Sequence, residues 1–305
     1  MQTINIKVPL SAQQVAEKKD QHRKKVTPWT HRFRNRRARG IQHPVEDFLF
    51  TYYAYSSSQL EEWHPGFGIG LCSDGYKLIK ANDRYSKTDI GWILNLEFIS
   101  AKERTRIEFI HKLLQSTAEK PAVFHCFGLH EWAMVYRTSN TRHPWPLRMT
   151  QKEISEFVDS QRIYCTHFDA FRFFTPAARP LNRSDPTALN RLHYEQPGCI
   201  HANLDLYKWA YKMAPWCGSD LIADAFQLAI EGRTIDMQAS PYDLSDLGIR
   251  AIPIETSEGR EQYQKAQKEL SKKASLVRAK LIDLTKKLLG TVSPIGYPLK
   301  KPIFQ

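Results

Sequence analysis

Three segments of the chain set imidazoles and carboxylates among residues that otherwise read as core. Residues 121–136 (PAVFHCFGLHEWAMVY) are interrupted by few strongly polar side chains: His125, His130 and Glu131. A run this apolar predicts a buried helix. On it, His125 shares a face with Leu129, Trp132 and Tyr136, Glu131 lies among Phe127, Met134 and Val135, and His130 falls beside Cys126 and Arg137. A carboxylate in such surroundings needs a partner or a raised pKa. Glu131 is therefore either functional or held by an arginine such as Arg172 or Arg179.

Residues 163–174 (IYCTHFDAFRFF) are rich in β-branched and aromatic residues and predict a strand. Alternation then puts Cys165, His167, Asp169, Phe171 and Phe173 on one face. His167 and Asp169, two apart, fit a metal-ligand pair, a base with its orienting carboxylate, or a satisfied polar pair at a strand end. The third segment, residues 195–213 (EQPGCIHANLDLYKWAYKM), is punctuated by Pro197 and Gly198 before a helix. His201 and Asp205 share a face of that helix, together with Lys208 or Trp209.

Taken together, His125, His130, His167 and His201 accompany Glu131, Asp169 and Asp205 between positions 125 and 205 of the chain. We expect His125, Glu131, His167, Asp169, His201 and Asp205 to converge, because isolated polar groups in such segments are costly. Asp169, flanked by phenylalanines, is the first candidate for catalysis, followed by Glu131 and Asp205. His125, His167 and His201 are the candidate metal ligands, and imidazole with carboxylate suits iron, manganese or zinc. The known spacings are absent: there is no H-E-x-x-H, no Walker A, no G-x-G-x-x-G and no G-x-S-x-G. The glycines of residues 64–70 (HPGFGIG) read as turn chemistry.

The elements that must position these residues read as mainly α with a small β element, an α+β single domain. Residues 45–52 follow helical spacing after His43-Pro44. Residues 67–80 suggest a hairpin turning at Ser73-Asp74-Gly75, and residues 88–118 read as helical. Thr150 with Glu153 forms a capping box that starts a helix over 151–160. Helices are expected over 204–213, 220–231 and 257–289. Five cysteines with no C-x-x-C argue against a disulfide framework. No apolar run matches a membrane span, and the first residues lack a secretory pattern, so a cytoplasmic protein with no membrane partner is expected.

The net charge of +12 is concentrated at the ends. Residues 1–40 carry eleven Lys/Arg against Glu17 and Asp20, and residues 258–305 carry eleven against four acids. The chain divides accordingly into a basic arm over 1–40, a folded core over 41–257, and a basic amphipathic helix and tail over 258–305. Within the arm, residues 11–25 could form a short charged helix, whereas the RFRNRRAR stretch (32–39) has little apolar periodicity and reads as an extended or flexible segment; the arm is expected to be removable without loss of the fold. Its Arg34, Arg36, Arg37 and Arg39 are candidate contacts for nucleic acid, DNA rather than RNA, by counterion release. The same charge pattern also fits tails that simply aid solubility, and nothing in it sets the oligomeric state.

The strings HPVEDFLFTYY (43–53), HCFGLHEWAMVYR (125–137), THFDAFRFFTPAARPLN (166–182), EQPGCIHANLDLYKWAYK (195–212) and MQASPYDLSDLG (237–248) resemble a bacterial family usually labelled 3-methyladenine DNA glycosylase. The resemblance covers roughly residues 29–270. It implies hydrolysis of the N-glycosidic bond of an alkylated purine in DNA, with no cofactor. The chain lacks a helix-hairpin-helix glycine turn followed by an aspartate, so no catalytic residue is carried over by motif. Such a reaction needs a carboxylate near an oxocarbenium-like sugar, which Asp169, Asp205 or Glu131 would supply. Two other readings stand beside it. One is a His/carboxylate metal-dependent oxygenase or hydrolase acting on a small molecule or a nucleobase. The other is a non-catalytic nucleic-acid-binding protein.

Overall fold

The computed structural model describes residues 7–80 and 83–290. The architecture is mainly helical with one small sheet, as the sequence predicts. Strand β1 (Lys7–Leu10) leads into a long helix α1 (Ala12–Ala38), and short helices α2 (Phe48–Tyr52) and α3 (Ser57–Glu61) follow. Next come β2 (Ile69–Leu71), one-turn α4 (Ser73–Tyr76), and the hairpin β3 (Tyr85–Thr88) and β4 (Gly91–Leu94). The remainder is α5 (Ala101–Glu119), α6 (Leu129–Ala133), α7 (Gln151–Asp159), α8 (Phe168–Phe171), α9 (Arg191–Tyr194), α10 (Ile200–Lys212), α11 (Ser219–Gln238) and α12 (Ser257–Gly290).

Helix α11 is the centre of the molecule. Ile222, Ala225, Phe226, Ala229, Arg233 and Asp236 are all buried, so helices must cover more than one of its faces. α10, α12, α1, α2 and α3 pack around it. α10 comes close enough at Gly232 that a Cβ there would lie 2.3 Å from Leu204 Cδ1. The basic α12 belongs to this core. It buries Tyr263, Leu270, Ala274, Leu281 and Leu288 against α5, α10 and α11. The part of the expected tail beyond Gly290 lies outside the described residues. Among the described residues no helix is long and apolar enough to cross a membrane.

The sheet has the order β1-β2-β4-β3, with β1 parallel to β2 and the other pairs antiparallel. The expected hairpin over 67–80 does not form. Strand β2 takes its partners from β1 and β4, and Ser73-Asp74-Gly75 lies in the turn of α4. The expected helix over 88–118 is a strand and a later helix. β4 ends at Leu94, and a Ser100–Glu103 capping box starts α5. The capping box at Thr150 starts α7 as predicted.

The expected arm over 1–40 is the largest correction, although the short charged helix suggested over 11–25 is present within α1. A capping box between Ser11 and Gln14 starts α1, which runs through Pro28 to Ala38. Its Val15, His22, Val26, Thr30 and Phe33 are buried. That stripe is sparse, and between its members the helix is almost wholly polar, so the periodicity is faint in sequence. The arginines fasten it to the body. Arg34 pairs with Glu61 at 2.7 Å, and Arg36 pairs with Glu46 at 2.8 Å and Asp47 at 2.5 Å. Arg37 and Arg39 remain exposed at the end of the helix.

Two predictions follow from this seam. Deleting residues 1–40 should remove cooperative unfolding or lower the Tm by roughly 10 °C or more, because Val15, Val26 and Phe33 each bury about 1.5–3 kcal/mol of transfer free energy. Calorimetry on the truncated chain checks this, and an unchanged Tm would restore the dispensable arm. The second concerns His64, whose Nδ1 is shut from solvent without a partner. Burial, helped by nearby His22, pushes its pKa down to about 4. The unfolded chain then takes the proton first. Stability is complete above the unfolded value near 6.5 and falls as pH drops toward 4, by at most about 1.4 kcal/mol per pH unit. His64→Phe should flatten that slope in denaturant titrations; an identical slope would show that His64 does not set it.

Candidate functional site

The first segment of the site is not the long helix its composition predicts. Residues 121–128 are non-helical, and only Leu129–Ala133 form the helical turn α6. The break is conformational. Phe127 has φ 48° and Gly128 has φ 75°, both in the left-handed region that terminates or precedes a helix. Such a φ is cheap for glycine and costly for phenylalanine. A Cβ on Gly128 would also press on Ala239 at 3.0 Å. The kink lets α6 enter the core end-on, with every residue buried. His130 Nε2 lies 2.5 Å from Asp236 Oδ1 on α11, and its Nδ1 lies 3.3 Å from Cys126 Sγ. Glu131 Oε1 accepts from Arg233 Nη1 at 2.8 Å, while Oε2 is buried without a partner. The partner of Glu131 is thus Arg233, not Arg172 or Arg179.

The expected strand over 163–174 is also absent. Ile163 makes one isolated bridge to Asn182, and Cys165 N donates to Asn182 Oδ1 at 2.7 Å. The chain then turns into α8, with His167 at its N-cap position and Asp169 in its first turn. A carboxylate is favourable there because the first-turn N–H groups carry positive partial charge. The aromatic residues that suggest a strand are packed by this turn instead; Phe174 is buried and Phe171 and Phe173 are partly so. His167 and Asp169 still reach the same cavity.

Helix α10 behaves as its spacing predicts. His201 and Asp205 line one cavity from the same face, and Lys208, one turn further, bonds Asp205. Asp205 is the centre of a buried ion network. Its Oδ2 accepts from Arg191 Nη2 at 2.8 Å and from Lys208, and its Oδ1 accepts from the Tyr53 hydroxyl at 3.0 Å. Arg191 Nε also donates to Glu195 at 2.6 Å, and Lys208 Nζ donates to Asp169 at 3.1 Å. His167 Nε2 sits 3.5 Å from Glu195 and 3.4 Å from Asp205.

The three buried-site imidazoles form a row. His167 and His201 stack with centroids 5.5 Å apart, and His201 meets His130 edge to face at 4.5 Å. The row joins the Asp205 network at one end to a second ion cluster at the other, in which Arg233 Nη1 donates to Asp236 at 2.6 Å as well as to Glu131. Burial opposes charge throughout, and the pairings overcome it. Asp205 is held well below the usual carboxylate range by Lys208 and then His167. Asp236 is held low by His130, whose own pKa Asp236 raises well above normal. His201, between the clusters, has no carboxylate bond. Burial, then the neighbouring His130, pushes it down to about 3, so its ring is neutral.

Glu131, His167, Asp169, His201 and Asp205 therefore line one cavity of about 20 Å³, with Arg233 and Tyr53. His125 does not. It is exposed on the 121–128 segment, because the left-handed turn at Phe127–Gly128 separates it from α6. His130 and Asp236 do not line this cavity either, but one ligand atom each of His130, His201 and Asp236 lie within 4.8 Å of one another. Arg191, Glu195, Arg233 and Asp236 carry no motif. The one available signal was Arg233 and Asp236, three apart on an apolar face of α11.

Comparisons with models of known families, with curated proteins and with solved structures find no match for this chain.

Arg233 gives the sharpest test of this geometry. Arg233→Met should cost about 3–5 kcal/mol, because it leaves Glu131 and Asp236 without their buried counter-charge. Glu131→Gln in the same chain should recover part of that loss. Denaturant unfolding checks both, and a neutral Arg233→Met would mean the cluster is solvated.

Proposed function

We propose that the chain is a metal-dependent enzyme whose centre is His130, His201 and Asp236. The observation that carries this reading is the meeting of two imidazoles and one carboxylate, from α6, α10 and α11, with ligand atoms within 4.8 Å of one another. That donor set suits iron, manganese or zinc. Two further features fit it. Glu131 Oε2 and His167 Nδ1 are buried without partners on residues that line the cavity beside His201. Of the three ligands His201 lines this cavity, whose free space, about 20 Å³, suits one water-sized species beside it. When bound, such an ion would act as a Lewis acid and lower the pKa of a water.

The chain's own residues supply the rest. Arg233 fixes Asp236 and Glu131, so the carboxylates keep their orientation. Arg191, Lys208 and Tyr53 hold Asp205. Asp169 is the most solvent-accessible carboxylate of the cavity, at 16% side-chain exposure. Burial opposes its ionisation, but Lys208 keeps its pKa lowered, so it is anionic at neutral pH. It is placed to accept a proton from a substrate at the mouth, where Phe48, Tyr52 and Phe173 stand.

Base excision on alkylated DNA is the second reading, favoured by those aromatic rings and by the resemblance. Phe48 and Tyr52 stack with centroids 4.9 Å apart beside Asp169, a surface on which a planar base can lie. The cavity's free space is far below a purine's volume, which weighs toward the metal reading.

Metal analysis of the purified chain decides between them. One equivalent of iron, manganese or zinc is expected, with a thermal shift on adding the ion to stripped protein. His201→Ala and Asp236→Asn should abolish retention and shift, and His125→Ala should leave both intact. A protein that neither retains nor responds to these ions refutes the metal centre. Release of methylated purine by that metal-free protein, lost by about a hundredfold or more in Asp169→Asn, would establish base excision in its place.

A further inference from the structure

On α12, sharing no residue with the cavity of His167 and His201, lies a groove of about 710 Å³. Its walls are apolar: Ala118, Ala122, Phe124, Ala279 and Ile282. At its base is Arg278, only 2% exposed. We propose that this groove is a second ligand site, which binds a small organic monoanion, a carboxylate on an apolar or aromatic body, through Arg278.

The argument rests on how the buried arginines are compensated. Arg233 touches two carboxylates, and Arg191 touches three. Arg278 makes no ion pair among the described residues. Its Nη2 donates to the neutral Asn203 Oδ1 at 2.5 Å, and its Nε is buried with no partner at all. A buried guanidinium left with one neutral acceptor is costly unless an anion completes it. Burial alone pushes its pKa down to about 10, with Glu195 acting only from a distance. Arg278 is therefore a charge prepared for a counter-ion that the described residues do not contribute.

The surroundings select the occupant. Lysines 120, 265, 268 and 272 line the groove with Arg278, against Glu261 and Glu269. Lys272 is paired with Glu269, and Lys120 donates to backbone carbonyls, including Glu195 O at 2.9 Å. Lys265 has no partner among the described residues, and Lys268 leans over the Phe124 ring at 5.7 Å. One deep cation, two exposed rim cations and apolar walls fit an anionic head with an apolar body. A bare phosphate would leave the walls unused. A nucleic-acid backbone needs a row of exposed cations rather than one recessed guanidinium.

Titration calorimetry of the full chain with 4-phenylbutyrate, and with 4-phenylbutan-1-ol as the uncharged control, tests the site. Saturable binding of the carboxylate is expected, with the alcohol at least about tenfold weaker. Arg278→Gln should weaken the carboxylate by at least about tenfold and leave the alcohol unchanged. Because Arg278 is buried, the surface pair Lys265→Glu with Lys268→Glu is measured alongside, and should weaken the carboxylate several-fold at unchanged Tm. Equal binding of acid and alcohol, no saturable binding of the acid, or full affinity in the lysine pair would each overturn the proposal. The result is independent of metal content at His130, His201 and Asp236.

Discussion

A buried guanidinium on α11 constrains this molecule more than any apolar contact. Arg233 cannot be desolvated alone, and its compensation comes from Asp236 on its own helix and Glu131 on α6. Its Cζ also lies 4.1 Å from the Phe48 ring centroid, and its Nε donates to Pro44 O at 3.3 Å. Four parts of the chain are thereby fixed to one cation. Seating Glu131 forces α6 to enter the core end-on, which requires the left-handed turn at Phe127 and Gly128. The same entry brings His130 to Asp236. The candidate metal ligands are therefore a consequence of how one buried charge is neutralised.

The Asp205 network repeats that logic on the other side of His201. Arg191, Lys208 and the half-exposed Arg172 face Asp169, Glu195 and Asp205, so three cations meet three carboxylates. Replacing such a network by apolar residues is often neutral or stabilising. What it provides here is orientation: Asp205 has acceptors committed to Tyr53, Arg191 and Lys208, and cannot rotate freely. Between the two clusters His201 keeps a neutral ring with no carboxylate bond. That is the protonation state in which imidazole ligates a metal; His130, whose pKa Asp236 raises, would have to give up its proton to an incoming ion.

The basic residues have three different fates. Those of α1 are largely consumed within the fold, where Arg32, Arg34 and Arg36 clamp the helix to Glu46, Asp47 and Glu61. Those of the site neutralise buried carboxylates. Arg278 alone among the deeply buried arginines has no carboxylate partner among the described residues, and it lies under an apolar groove. Sequence charge reports none of these distinctions, since all three groups add equally to the net +12.

The sequence by itself determined the helical class, the capping box at Thr150, the paired positions His201 and Asp205 on one helix face, and five residues of the cavity. These follow from local periodicity and from the cost of isolated polar groups, which act within a few residues or demand company of any kind. Tertiary structure decided the rest. Residues 121–128 do not continue as a helix because a left-handed turn satisfies a buried ion pair. Residues 163–174 turn at His167 because the aromatic side chains find their cover without a neighbouring strand. Helix α1 is held by pairs between residues far apart in the chain, which no local pattern records. His125 and His130 have the same type and similar neighbours in sequence. One faces solvent and the other meets Asp236, a choice made by a partner more than a hundred residues away.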